Sequence, residues 1–191
     1  MLILQNSVFL HYPKTGGTWV RNAIAASGIN CDNFAIDENI HLGLKECPYQ
    51  DKFKFTFVRH PVNLYRSYWQ YKMTHGWDEK NPLDINCQSG CFQEFVRRVL
   101  DQYPGCYSKS FLDFIGHPDH EIEFIGRNEN LVEDLITALR NAGETFDENA
   151  IKTFPRQNVS NQSKFPANYS SQLESEVREA ESIIINMFKY D

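Results

Sequence analysis

Residues 2–10, LILQNSVFL, are mostly apolar and run into the turn signal HYPKTGG, which predicts a first strand followed by a loop. From Thr18 to Ala26 the run TWVRNAIAA has helical spacing, and Gly28 is a natural stop. Phe53–Val58, FKFTFV, is aromatic and β-branched and predicts a second strand. Pro61 then suits the first turn of a helix over roughly Val62–Met73, whose Leu64, Tyr65, Tyr68, Trp69 and Tyr71 read as core or groove wall. About Thr74–Ser89 the chain is polar and irregular, long enough to be a substrate-facing lid or a surface excursion. Helical patterns return over about Phe92–Leu100 and Ser110–Ile115, and Glu121–Ile125 reads as another strand. Asn130 and Glu133 have the spacing of a capping box at the head of a helix running towards Gly143. The acidic segment from about Ser170 to Phe188 places Leu173, Val177, Ile184 and Phe188 on one helical stripe. No internal repeat appears. The pattern predicts a single α/β domain over residues 1–191, with a mainly parallel central sheet flanked by helices and a phosphate-loop-like turn after the first strand.

Composition narrows the partners. Of 191 residues, 41% are hydrophobic and 23% charged, the balance of a folded globular chain. The 19 Lys and Arg against 25 Asp and Glu give a formal charge of −6, so no broad nucleic-acid surface is expected. The charge is uneven, however. Residues 1–31 contain Lys14 and Arg21 but no carboxylate, and residues 52–77 contain Lys52, Lys54, Arg59, Arg66 and Lys72, again without one. An acidic protein with a cationic pocket fits this distribution.

No apolar run approaches the ~18–20 residues of a membrane span, and MLILQNSVFLHYPK lacks a basic leader and a cleavage site. A cytoplasmic protein with no membrane partner is expected. The five cysteines (Cys31, Cys47, Cys87, Cys91 and Cys106) are odd in number and scattered, which points to reduced thiols. Cys87 and Cys91, with His75 and Cys106 nearby, lack the tight paired spacing of a zinc site, so no metal is expected. The three Asn-x-Ser sequons at Asn158, Asn161 and Asn168 read as a polar loop.

The most informative run is Tyr12-Pro-Lys-Thr-Gly-Gly-Thr-Trp19, between strand and helix. Glycines there let backbone N–H groups approach an anion, the helix amino terminus adds partial positive charge, and Lys14 adds a full one. Thr15 and Thr18 add hydroxyl donors. In the common triphosphate loop, GxxxxGK[ST], the lysine follows the glycines beside a magnesium-holding hydroxyl. Here Lys14 precedes Gly16 and Gly17, and no strand ends in a clear Asp, which disfavours a kinase or ATPase.

Pro13-Lys-Thr-Gly-Gly-Thr-Trp19 resembles the 5′-phosphosulfate loop of sulfotransferases, which use 3′-phosphoadenosine 5′-phosphosulfate (PAPS). Phe57-Val-Arg-His-Pro61, with Ser67 in the following helix, resembles the family's 3′-phosphate site. Phe124-Ile-Gly-Arg-Asn-Glu-Asn-Leu131 is similar to a later strand and helix start. Asn158–Ser163, Tyr169 and Phe188-Lys-Tyr190 are similar to the closing segment of carbohydrate-type members. The Arg-Lys-Gly cofactor segment of the cytosolic aryl and steroid enzymes is lacking, with Arg156 or Lys164 as candidate substitutes, and the dimer motif of those enzymes is not evident.

The resemblance implies that Lys14, Thr15, Gly16, Gly17, Thr18 and Trp19 enclose the 5′-phosphosulfate, while Arg59 and Ser67 hold the 3′-phosphate. It implies in-line transfer of the sulfuryl group to an acceptor hydroxyl, of a sugar or small metabolite, releasing 3′-phosphoadenosine 5′-phosphate (PAP) without a metal. Lys14 would stabilise the leaving oxygen. His41, in Asn-Ile-His-Leu, resembles the family's general base and has the ordinary pKa for that work; Glu38 is the second candidate. His11 and His60 read as packing or supporting groups, and Trp77 and Tyr71 as stacking candidates for an acceptor. Two other classes stay open: an atypical nucleotide-dependent phosphotransferase, and a nucleotide-binding module without turnover.

Overall fold

The computed structural model describes residues 1–31, 40–117, 121–157 and 163–191. Its elements are strands β1 (Leu2–Ile3) and β2 (Ser7–Phe9), helix α1 (Gly17–Ala26), strand β3 (Phe53–Val58), and helices α2 (Pro61–His75), α3 (Pro82–Cys87), α4 (Phe92–Gln102) and α5 (Cys106–Ile115). Strand β4 (Phe124–Arg127) and helices α6 (Leu131–Asn141), α7 (Glu148–Thr153), α8 (Ser171–Ala180) and α9 (Ser182–Met187) complete the chain. The four strands form one mixed sheet in the order β1-β2-β3-β4, antiparallel in its first pair and parallel in the other two. The chain is therefore α/β, with a sheet flanked by helices. Its residues fall into two compact units, Met1–Arg59 with Phe111–Asn158, and His60–Ser110 with Val159–Asp191.

In the first unit, the apolar run 2–10 makes two strands rather than the expected one. Gln5 and Asn6 are both exposed, so neither sheet face can take them, and the chain reverses there, with the Leu4 N–H bonded to the Ser7 carbonyl at 2.9 Å. Phe9, Phe55 and Phe57 are fully buried and pack with Trp19, Val20 and Ile24 of α1 and Leu135 and Leu139 of α6. That core fixes both β2 and α1, and hence the loop between them.

Strand β4 lies about three residues later than Glu121–Ile125 suggested, because its register is set across the sheet: Phe124 pairs with Phe55 and Arg127 with Val58. Glu123 uses its carboxylate to accept the Lys54 N–H at 2.7 Å. The capping box at Asn130 does not form. The Asn130 amide instead donates to Asp134 at 2.7 Å, and the other Asp134 oxygen accepts the Arg127 N–H at 2.6 Å. Helix α7, absent from the sequence pattern, is started by Asp147, which accepts from the N–H groups of Asn149 and Ala150 at 2.9 and 3.1 Å.

In the second unit, Pro61 opens α2 as expected, and the helix runs on to His75. The Thr74–Ser89 stretch is not wholly irregular, since Asn81 caps α3 by accepting the Leu83 N–H at 3.0 Å. Buried Asp84 ties this stretch to α2, pairing with Lys72 at 2.5 Å and accepting the Tyr68 hydroxyl at 2.5 Å. The terminal helical run is broken at Glu181 into α8 and α9, with Leu173, Val177 and Ile184 buried and Phe188 only half-buried.

Among the described residues no helix is long and apolar enough to cross a membrane. The five cysteines, all among the described residues, form no disulfide, and no group of three or more His, Cys, Asp or Glu there is placed to hold a metal ion.

Candidate functional site

The loop between β2 and α1 is the core of the site. Lys14 has φ 65° and Gly16 φ 90°, both in the left-handed region, so the chain coils as it enters α1. Gly16 is the helix N-cap, no described side chain caps α1, and its first turn holds no acidic residue. The first N–H groups of the helix and its partial positive charge thus meet no carboxylate from the helix's own first turn. A Cβ on Gly16 would lie 2.7 Å from Asn128 Nδ2 and 2.8 Å from Leu131 Cδ2, so the head of α6 closes directly on the loop. A Cβ on Gly17 would lie 1.9 Å from Cδ2 and 2.0 Å from Nε2 of His11.

The side chains of the loop divide in role. Thr15 is fully buried and its hydroxyl donates to the Tyr12 carbonyl at 2.8 Å, so it braces the loop from within. Thr18 is exposed. Trp19 is buried in the core, donates its indole N–H to the Pro155 carbonyl at 3.1 Å, and meets Phe154 edge-on at 6.1 Å. Its side chain anchors α1 in the core.

Arg59 follows β3 and is half-buried. Its Nη1 donates to the Lys14 carbonyl at 3.0 Å. The two motifs, remote in sequence, thus meet at the ends of neighbouring parallel strands. Ser67 belongs to the second unit, where it is 8% exposed within α2. Glu38 lies outside the described residues.

His41 sits beside the loop's entry. Its Nδ1 contacts the His11 carbonyl at 2.9 Å, and the two rings meet edge-on with centroids 4.6 Å apart. A carbonyl only accepts, so Nδ1 carries the hydrogen and, in the neutral ring, Nε2 is the open lone pair. Loss of water around the ring lowers the His41 pKa, opposed by the hydrogen bond to His11; nearby Arg21 and Lys14 lower it further. His11 is 5% exposed, and burial, followed by the charge of a protonated His41, lowers its pKa to about 3. Burial thus favours the neutral form of the His11 ring. Its Nδ1 has no hydrogen-bond partner among the described residues.

The remaining candidates have local roles. His60 accepts the Val62 N–H at 3.2 Å and so caps α2. Trp77 packs on Phe95 at 5.7 Å within the helical core, whereas Tyr71 is exposed and stacks on His75 at 4.1 Å. Arg156 and Lys164 are exposed. Sequence reasoning gave His11 only a supporting part and did not single out Asn128; the signal for both was the glycine pair, whose missing side chains leave space that these two occupy.

A phosphate group suits this arrangement: a helix start with no acidic residue in its first turn, and two cationic residues joined at the Lys14 carbonyl. Compared with family models, curated proteins and solved structures, the chain matches none.

Proposed function

We propose that the chain is a sulfotransferase that moves the sulfuryl group of PAPS to an acceptor hydroxyl of a small molecule or carbohydrate, with PAP as the product. The observation that carries this is the Arg59–Lys14 hydrogen bond, which joins the loop after β2 to the segment after β3. A lone glycine loop would suit many anions. A loop preceded by its lysine, with an arginine from the neighbouring strand end fixed to it, suits a ligand with a phosphate at each end.

When bound, PAPS supplies a sulfuryl group whose leaving oxygen belongs to a phosphate. The backbone N–H groups of Gly16 to Trp19 bind and orient the 5′ end, and Lys14 places positive charge where the leaving oxygen gains negative charge. Arg59 is assigned to the 3′-phosphate. His41 accepts the acceptor's proton at Nε2, with Glu38 as the other candidate base. No metal has a part, and a cytoplasmic setting suits the reduced cysteines.

Release of labelled sulfate from PAPS onto a panel of sugars and small alcohols, with magnesium removed, tests the activity. The wild-type chain is expected to label at least one acceptor, and Lys14→Ala to lose about 10²-fold or more in turnover. Transfer that survives in Lys14→Ala would remove the leaving-group role. Tight PAPS binding without transfer across the panel would favour the binding module instead.

A further inference from the structure

Buried His11 is the group in this region that the reaction does not use. Its backbone carbonyl takes the Nδ1 hydrogen of His41 at 2.9 Å, and its ring meets the His41 ring edge-on at 4.6 Å. On its other side the Cδ2–Nε2 edge lies against Gly17, so close that the glycine has no room for a side chain. Phe9 stacks on the same ring at 5.7 Å with an interplanar angle of 18°. One buried ring therefore touches the strand core, the first helical residue after the phosphate loop, and His41.

We propose that His11 is a positioning residue for His41, holding it as the Nδ1–H tautomer and tying the place of its Nε2 lone pair to the seat of the phosphate loop. The consequence for turnover rests on the sulfotransferase function above, whereas the tautomer rests on geometry alone.

The chemistry of the pair agrees with this assignment. A histidine left with its Nδ1 unpartnered among the described residues gains nothing from that atom, so its value lies in shape and in its carbonyl. Burial keeps it neutral, so it adds no fixed charge beside His41 and does not compete for the transferred proton. A general base works when its lone pair is aimed, and a hydrogen bond on the opposite ring nitrogen is the usual way to aim it. The charged groups that bear on His41 among the described residues are the N-terminal amine, Arg21 and Lys14, all cations, whereas the carbonyl of His11 favours a proton on the ring.

The test is the nitrogen NMR spectrum of the imidazoles at about pH 8, where the neutral ring dominates, taken on the full chain and paired with turnover. His41 is expected to show a protonated Nδ1 and an unprotonated Nε2. His11→Ala and His11→Asn both keep the main-chain carbonyl and remove the ring. Without the ring that seats this carbonyl between Gly17 and His41, the bond to Nδ1 is expected to loosen, so each variant should mix the two tautomers and lower kcat about tenfold, part of the ~10²–10⁴-fold scale of general-base effects, while KM for PAPS stays within about twofold. A wild-type His41 with hydrogen on Nε2 would overturn the proposal whatever the variants do. So would unchanged tautomer and kcat in both variants. A wild-type Nδ1–H tautomer in a chain that transfers no sulfuryl group would instead overturn the function and support the hold of His11 on His41.

Discussion

One added methyl group at Gly17 would land 1.9 Å from the His11 ring, and the same ring faces His41. The composition of this small region explains why sequence reasoning found its charged members and undervalued its neutral ones. Lys14, Arg59 and His41 carry chemistry that a pattern displays openly. His11 acts through a backbone carbonyl and a buried face, and neither leaves a mark in a sequence. Thr15 and Trp19 illustrate the converse: their types suggest ligand contact, but the fold commits the hydroxyl to Tyr12 and the indole to Pro155.

His11 also predicts an acid response. Its folded pKa is lowered to about 3 from the ordinary 6.5, so the unfolded chain binds a proton that the folded chain refuses. The stability it contributes is present above about pH 6.5 and is lost as pH falls towards 3. Because the His41 pKa is shifted the same way, its contribution falls in the same direction. Urea unfolding at stepped pH below 6.5 is expected to lose stability with a slope approaching ~1.4 kcal/mol per pH unit from His11 alone. A flat profile over that range would show that the ring is not held neutral.

Elements long enough to carry a period were legible, and those set by a tertiary partner were not. Phe53–Val58 is a strand with the expected bounds because its aromatic run can go nowhere but the core. Strand β4 slipped because pairing with β3, rather than its own alternation, sets its register. The break between α8 and α9 was invisible for a related reason. Glu181 looks like a solvated helical glutamate, yet it is fully buried and accepts the Tyr65 hydroxyl at 2.6 Å and the Ser108 N–H and hydroxyl at 2.7 and 2.6 Å. It also accepts the Tyr107 N–H at 3.2 Å, so it serves as the missing cap of α5.

Removing that carboxylate leaves several buried donors unpaired. Glu181→Ala is expected to cost about 3 kcal/mol and to lower Tm by roughly 10 °C. Exposed Glu179, two residues earlier, is the control, and Glu179→Ala should stay within about 0.5 kcal/mol of wild type. Equal melting of the two variants would contradict the capping role.

At the scale of the whole chain, each of the two compact units has its own apolar core. The α/β class was readable from the order of strands and helices, whereas the hairpin of β1 and β2 was not, because two polar residues in an apolar run decide it. The formal charge of −6 conceals two carboxylate-free segments, residues 1–31 and 52–77. The first supplies Lys14 and the second Arg59, and the fold bonds the two together. An acidic protein can hold one small polyanion this way without attracting nucleic acid.

Melting of the wild-type chain and of Arg59→Ala in the presence of PAP, with magnesium chelated, tests that central claim most directly. PAP is expected to raise the wild-type Tm by several degrees at about 100 times its Kd, to do so without magnesium, and to lose most of that effect in Arg59→Ala. ATP should do little under the same conditions. Stabilisation by magnesium-ATP alone, with none from PAP, would contradict the account and favour a phosphotransferase.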